Sequence, residues 1–497
     1  MIILKSHIHP DFDKAYLNNN ELKLDAGTTF DHLKELARKF PQQWIGWTSI
    51  ERPVSDWNDL LNKATVPYMV LSKGSAPGFL RDSIDYVDDT PFINFKEDQW
   101  YPTWMMSDNI GLIHSSVLQQ ETEFKSTGNW IYDLNLFTRI YQSQGLFCYS
   151  QLSRERIQIS SSEVFSFISQ TKKKTWIFFL LLCQICYEKK FPILAFAKAL
   201  FKRQLNYTLR LEPIQYSVPE SDMEKRYDVI IPTMGRASYL KDVLLDLDQQ
   251  TIKPQQVIII EQNGDHSSSS DLGFLNNENW SFKIIHKFIH QTGACNARNI
   301  AIAHTRSPWV LLFDDDNRFD KNLIERIFNS LSITKTAVLN MAYLQKGEIE
   351  SQKTFKQWPF FGSGCSIVHR DVLEQCNFDM ALEHGYGEDV DFGMQIRNAG
   401  YDVTYAPQIQ ILHLKAPIGG FRKSHVFPWD NEDVKPKPSP QIMYYRKKII
   451  RINNCQDIKW CSYLKHLVFL GLNYLGNTTR STCKLGIKVK NGQTSYD

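Results

Sequence analysis

Apolar and polar positions alternate in blocks along the second half of the chain, and the blocks predict strands and helices in turn. Tyr227-Asp228-Val229-Ile230-Ile231, Val257 to Ile260 and Phe282 to His286 read as strands, with helical stretches over Ser238 to Gln250 and Ala294 to Ala303. Trp309 to Phe313 is an unbroken apolar run, as suits a strand buried on both faces of a parallel sheet. Strands alternating with helices imply a doubly wound, mainly parallel α/β sheet. The first half is also mixed: Trp44 to Ser49 and Tyr68 to Ser72 are strand-like, and Phe30 to Phe40 is helix-like. Residues 161–203 read as helix broken at Pro192, and Gln215 to Arg226 as a linker.

The two halves echo one another. Val66 to Ser72 repeats the pattern of Ser307 to Phe313, and Gly111 to Leu118 that of Ser366 to Leu373. Tyr132 to Leu136 shadows Glu388 to Phe392, and Ser143 to Leu146 shadows Asn398 to Tyr401, all in the same order. On this alignment Lys73-Gly74-Ser75 stands where the second half has Asp314-Asp315-Asp316, and Tyr132 replaces Glu388. The expected organisation is therefore a degenerate α/β domain over 1–160, a helical connector over 161–224, a catalytic domain over 225–415 and a basic tail over 416–497.

With 497 residues, 42% of them hydrophobic and 22% charged, the chain is an ordinary globular protein with room for two or three cores. Nine cysteines without metal-ligand spacing, and no export signal among the first residues, suit a reducing, cytoplasmic setting. Cys183 and Cys186 form a CxxC by spacing but lie in an apolar helical run, where buried thiols are expected. That run, Trp176 to Tyr187, is too short to span a bilayer, which takes about 20 residues. The net charge of +3 conceals an asymmetry: from Gln441 onward ten Lys/Arg face two Asp/Glu, leaving about −5 on the remainder. A basic tail mixed with aromatics suggests contact with the cytoplasmic face of an inner membrane, or else a helix packed on the core. Confinement of the basic surplus to the tail argues against nucleic-acid binding.

The chemistry concentrates at strand ends. Asp314, Asp315 and Asp316 follow a buried strand, where three acids repel unless a cation sits among them, and hard divalent ions favour oxygen ligands. Thr233 and Arg236, after Pro232, end the first strand with a hydroxyl and a guanidinium suited to a nucleotide and its phosphates. Glu261 ends the second strand as an acceptor carboxylate. Glu388, Asp389 and Asp391 occupy the first turn of a helix behind Gly385-Tyr386-Gly387, a place for a general base or for capping acids. His413 interrupts an apolar strand, as a nitrogen ligand or a core histidine. Without a P-loop or GxGxxG, NTPases and dinucleotide enzymes of those classes are disfavoured.

Taken in order, Ile231-Pro232-Thr233 with Arg236, Glu261, Gly293 to Asn299, the DxD triplet, Gly362 to Cys365 and Gly387-Glu388-Asp389 resemble a family 2 glycosyltransferase over about 225–415. The resemblance implies a GT-A-type fold, Mn²⁺ or Mg²⁺, and inverting transfer from a nucleoside-diphosphate sugar to a saccharide or lipid-linked acceptor in cell-surface polysaccharide synthesis. It also implies roles. Pro232, Thr233, Arg236, Glu261, Arg298, Asp314 and Asp315 would bind the donor, and Asp314 and Asp316 the metal, with His413 beside them. Asp389 would be the base, Glu388 would position the acceptor, and Gly364 and Asp391 would lie on the acceptor side. Glu261-Gln262 departs from the family's paired Asp, so the base contact is open. Two rival readings stand: a non-catalytic saccharide- or nucleotide-binding protein, and a metal-dependent nucleotidyltransferase.

Overall fold

The structure, a computed structural model, describes residues 2–6, 13–18, 20–77, 96–97, 99–216, 223–385, 387–416, 426–431 and 439–449. The first half comprises β1 (Ile2–Lys5), β2 (Lys14–Leu17), β3 (Asn20–Leu22), α1 (Thr29–Lys39), β4 (Trp44–Thr48), α2 (Val54–Lys63) and β5 (Met69–Pro77). It continues through β6 (Tyr101–Pro102), β7 (Ile110–His114), α3 (Ser115–Gln120), α4 (Trp130–Gln142) and β8 (Phe147–Ile157). Helix α1 starts where Thr28 and Asp31 satisfy each other's backbone N–H groups in a capping box. Its Phe30, Leu33, Leu36 and Ala37 then fall on one buried stripe.

A helical connector follows: α5 (Ser161–Thr171), α6 (Thr175–Cys183) with a π-helical turn over Gln184–Glu188, α7 (Ile193–Leu200) and the single turn α8 (Glu212–Gln215). Pro192 caps α7, as its lack of an N–H dictates. Of the CxxC pair, Cys183 is buried as expected, but Cys186 is exposed. Among the described residues no helix is long and apolar enough to cross a membrane.

The second half runs β9 (Tyr227–Thr233), α9 (Ala237–Asp248), β10 (Gln256–Gln262), β11 (Lys283–Ile289), α10 (Ala294–Ile302), β12 (Trp309–Phe313), β13 (Asn317–Arg318) and α11 (Leu323–Thr334). Then come β14 (Val338–Leu344), β15 (Lys356–Gln357), β16 (Cys365–His369), α12 (Arg370–Leu373), α13 (Glu388–Asn398), β17 (Thr404–His413) and α14 (Pro440–Ile449). The expected α/β architecture is present, but the sheet is mixed. Strands β11, β10, β9 and β12 are parallel; β16 enters antiparallel between β12 and β14; β14 and β17 are again parallel. The apolar runs of β9, β10 and β12 are buried, as strands covered on both faces must be.

The first sheet repeats this pairing from β1 onward, although β2 and β3 run antiparallel where β10 and β11 run parallel. β1 and β4 are parallel, β7 sits antiparallel between β4 and β5, β5 and β8 are parallel, and a short strand pairs antiparallel with β8 as β15 does with β17. The order reassigns one echo. Strand β4, not the segment from Val66 to Ser72, occupies the position of β12, and β5 takes that of β14. The residues standing opposite the Asp triplet are thus Ser49-Ile50-Glu51 rather than Lys73-Gly74-Ser75. Apolar similarity misled the alignment because both strands are continuous buried runs with little to distinguish their register.

Two glutamine amides join the halves. Gln357 on β15 donates from Nε2 to the Cys148 carbonyl (3.1 Å) and to Asp402 (2.9 Å), and its Oε1 accepts the Cys148 N–H (2.9 Å). Gln215 does the same for Phe355, accepting its N–H and donating to its carbonyl at 2.9 Å each, and also donates to the Gly145 carbonyl at 3.0 Å. Each side chain imitates the next residue of a strand ladder. The Tyr149 hydroxyl completes the seam by donating to Asp402 (3.1 Å). Replacing Gln357 with Ala leaves Cys148's buried backbone groups without that partner. We expect a loss of roughly 2–4 kcal/mol in unfolding free energy, read as a lower urea midpoint.

Candidate active site

Strands β9 and β12 are adjacent and parallel, so Thr233, Arg236 and the Asp triplet emerge at one sheet edge. The three acids coexist because each is neutralised differently. Asp315, the most enclosed, accepts from Thr233 Oγ1 (2.6 Å) and Arg236 Nη1 (2.7 Å). Burial outweighs these partners and raises its pKa to about 6. Asp316 accepts the Ala416 N–H (2.8 Å) and faces His413 Nε2 at 3.5 Å. Burial opposes its charge too, but His413, Ala416 and Arg236 more than compensate and hold its pKa below the ordinary carboxylate range. Asp314 is the accessible one, with Arg298 Nη2 at 3.3 Å and the Tyr343 hydroxyl at 3.2 Å.

The opposite wall is the loop before β16 together with the start of α13. The Ser363 N–H donates to Asp389 Oδ2 (3.3 Å), and the next residue, Gly364, presses on Asp314: a Cβ there would lie 2.2 Å from its carboxylate. Gly364's carbonyl accepts from Asn317 Nδ2 (2.9 Å). Arg298, on α10, lies between the two acid groups, bonded to Asp314 and within electrostatic reach of Glu388 and Asp389. Its ring-side neighbour is Phe378, 5.4 Å away, and Nε and Nη1 are buried without a hydrogen-bond partner. Burial raises the pKa of both Glu388 and Asp389. Glu388 reaches about 7 with help from Asp389's charge, while Arg298 and Ser363 partly offset the rise at Asp389.

Of the remaining residues singled out from sequence, Glu261 lies level with Thr233 on the neighbouring strand β10, at the same sheet edge. Glu261 is buried and already engaged, accepting from Ser270 Oγ (2.5 Å) and the Asp271 N–H (2.9 Å), with His286 Nε2 at 2.9 Å. Pro232 lies within β9, level with Ile260 of β10. Asp391, in the first turn of α13, pairs with Lys448 of α14 (2.8 Å) and accepts from Gln395 (2.6 Å), which ties the C-terminal helix to α13. A helical residue two places after Asp389 is rotated to another face.

Several residues at the site carried no motif. Tyr343 ends β14; its ring stacks on His413 at 4.3 Å between centroids, and its hydroxyl is 2.6 Å from Asn317 Oδ1. Burial and the charges of Asp314 and Asp316 push its pKa far up, so it stays a phenol. Glu383 accepts the Cys295 and Asn296 N–H groups (3.0 and 2.8 Å) and so fixes the start of α10, which carries Arg298. Both stand at strand or helix ends on the same sheet edge, the signal by which they could have been found.

Among the described residues no three His, Cys, Asp or Glu side chains are gathered into a finished cation cage. Half of one is present. Asp316 Oδ1 is buried without a hydrogen-bond partner, on a carboxylate held ionised, next to His413 and in the same turn as accessible Asp314. Such a donor set fits a hard divalent ion whose remaining ligands come from a phosphorylated substrate.

Residues 228–357 match the model of Glycosyl transferase family 2. The matched segment takes in β9 from Asp228, α10 and the Asp triplet, while Gly364, Asp389 and His413 lie beyond its end. No curated protein matches the chain significantly. Among solved structures it is similar to TarS of S. aureus, at 16% identity and a TM-score of 0.33 over 38% of this chain and 36% of that one. Another is the mannosyltransferase PcManGT of Pyrobaculum calidifontis with GDP-Man and Mn²⁺, at 17% identity and a TM-score of 0.33 over 41% of this chain and 61% of that one. The chain thus spans under two thirds of the length of either structure.

The raised Glu388 carboxyl makes stability depend on pH. Its folded pKa of about 7 lies above the ordinary 4.5, so keeping it ionised costs folding free energy that grows from pH 4.5 and is complete above pH 7. Glu388→Gln should therefore raise the melting temperature at pH 8, by the equivalent of roughly 1–3 kcal/mol, and leave it nearly unchanged at pH 4.5; scanning calorimetry at both pH values checks this.

Proposed function

We propose that the chain is an inverting glycosyltransferase that moves a sugar from a nucleoside-diphosphate sugar to a hydroxyl of a saccharide or lipid-linked acceptor, in cell-surface polysaccharide synthesis at the cytoplasmic face of an inner membrane. One observation carries this reading: Arg298 and the Ser363–Gly364 loop bring Asp314 and Asp389 to the two sides of a single cleft.

In this reading the donor's diphosphate lies along the Thr233–Arg236 turn and the Asp triplet. Asp314, Asp316 and His413 are the residues that would hold Mn²⁺ or Mg²⁺. When bound, that ion offsets the negative charge that gathers on the leaving diphosphate. Asp389 takes the acceptor's hydroxyl proton, the acceptor oxygen bonds to the anomeric carbon, and the bond from that carbon to the diphosphate breaks on the opposite face. A buried carboxylate with a raised pKa is a stronger base than an exposed one, and such general-base help is worth about 10²–10⁴-fold. Glu388, half-ionised near neutrality, orients the same hydroxyl. Arg298 keeps two sets of acids from repelling each other while the proton arrives.

The first half reads as a non-catalytic copy of the second. Its sheet repeats the pairing from β1 to β8, and on that correspondence Ser49-Ile50-Glu51 and Tyr132 stand where the triplet and Glu388 stand. It has neither three acids at that edge nor a paired base. The segment from Lys415 to Pro440, rich in Pro, Gly and aromatics, and the basic tail from residue 450 lie largely outside the described residues.

Asp389→Asn should lower transfer at least 100-fold with donor affinity kept within a few-fold, measured by radiolabelled-sugar transfer and calorimetry; transfer at the unmodified protein's rate removes Asp389 from the role. Asp316→Ala should weaken donor binding in Mn²⁺ while changing it little in EDTA, and equal affinities in the two buffers would refute the ligand assignment.

A further inference from the structure

The helical connector leaves an apolar face uncovered. Phe178 of α6 is 52% exposed, and Phe191, Ile193, Leu194 and Phe201, at the ends of α7, are 70%, 54%, 71% and 90% exposed. Elsewhere, exposed large apolar side chains are scattered through the described residues in ones and twos, as is normal for a soluble surface. Here five fall within 24 positions. Spacing puts Leu194 and Phe201 on one side of α7, while Phe196, on the core-facing side, packs on Phe178 of α6 with ring centroids 5.1 Å apart. The other sides of these helices are accounted for: Ile177, Phe179, Leu180 and Ala199 are buried in the main core.

The same segment is strongly basic, so the basic surplus is not confined to the C-terminal tail as expected. Between residues 172 and 203 stand Lys172, Lys173, Lys174, Lys189, Lys190, Lys198, Lys202 and Arg203, against Glu188 as the one acid. Lys173, Lys189, Lys190, Lys198, Lys202 and Arg203 are exposed. Lys190 pairs with Glu188 at 2.9 Å, and Lys174 is turned inward to Ser169 and the Ala199 carbonyl. Large apolar side chains surrounded by lysines that reach sideways form the arrangement by which a protein lies in the headgroup layer of a membrane.

We propose that α6, α7 and the turn between them form a docking surface for an anionic bilayer, with Phe191, Leu194 and Phe201 entering the headgroup–acyl boundary and the lysines meeting lipid phosphates. Charge selects this occupant. The C-terminal tail from Gln441 carries ten Lys/Arg against two Asp/Glu, so folding it back onto this face would set like charges together. A second copy docked face to face would do the same. An anionic lipid surface both covers the aromatics and neutralises the basic rim, each charge tightening binding about five-fold. The surface differs from the tail to which membrane contact is assigned on sequence, and it requires no catalysis.

The test uses the full chain and flotation on two kinds of vesicle: pure phosphatidylcholine, and phosphatidylcholine with 30% phosphatidylglycerol, at about 50 and about 500 mM NaCl. The expected result is binding at least ten-fold tighter to the anionic vesicles, weakened by salt. Leu194→Ser with Phe201→Ser should cost a further ten-fold or more at unchanged melting temperature, as should Lys198→Glu with Lys202→Glu. Both pairs are exposed, so folding is spared. Lys484→Glu with Lys488→Glu and Lys490→Glu serves as the tail control and should leave binding within about two-fold. Three results overturn the proposal: no binding to anionic vesicles, binding lost only in the tail control, or connector variants that change self-association in sedimentation while vesicle binding stays intact.

Discussion

A single guanidinium holds the candidate site together. Arg298 bonds to Asp314 and lies within reach of Glu388 and Asp389, so acids from the turn after β12 and from the start of α13 share one counter-charge. Without it, bringing five carboxylates to a few adjoining turns would cost more than the surrounding packing returns. Its placement is in turn fixed by parts that touch no substrate. Glu383 tethers the first N–H groups of α10, Asn299 exchanges hydrogen bonds with the Phe378 backbone, and the Phe378 ring stacks on Phe392 of α13. The cleft is therefore a property of the contact between α10 and α13.

The Asp triplet illustrates how adjacent identical residues acquire different characters. Asp315 is committed to Thr233 and Arg236 and braces the turn after β9. Asp316 is held charged while keeping one oxygen unsatisfied, and Asp314 stays open to the cleft against Gly364. Bracing, binding and access are thereby divided among three neighbours. That Gly364 has no side chain matters for the same reason, since any Cβ would push Asp314 off Arg298.

Much of this was legible in the sequence, for identifiable reasons. Strands such as Trp309–Phe313 are continuous apolar runs ended by chemistry-bearing residues, and helices such as α10 carry regular periodicity, so the α/β order and the acids' sheet-edge position could be read directly. Three things could not. The antiparallel entry of β16 depends on a long connection, and β16's own apolar pattern is equally compatible with a parallel neighbour. Glu261 looked like a free acceptor because its partners, Ser270 and His286, are distant in sequence. Asp391 resembled Asp389 in composition but not in direction, and Lys448, 57 positions on, claims it.

The seam between the halves bears on how such a chain fails. Gln215 and Gln357 complete backbone ladders with side chains, and Asp402 is buried against Tyr149 from the other sheet. A second half released from its predecessor would carry into water an open ladder edge at Phe355 and a core carboxylate stripped of its phenol. That edge makes the second half's stability depend on the first. A disabling lesion in the first half, far from any sugar chemistry, would show itself as aggregation of the second.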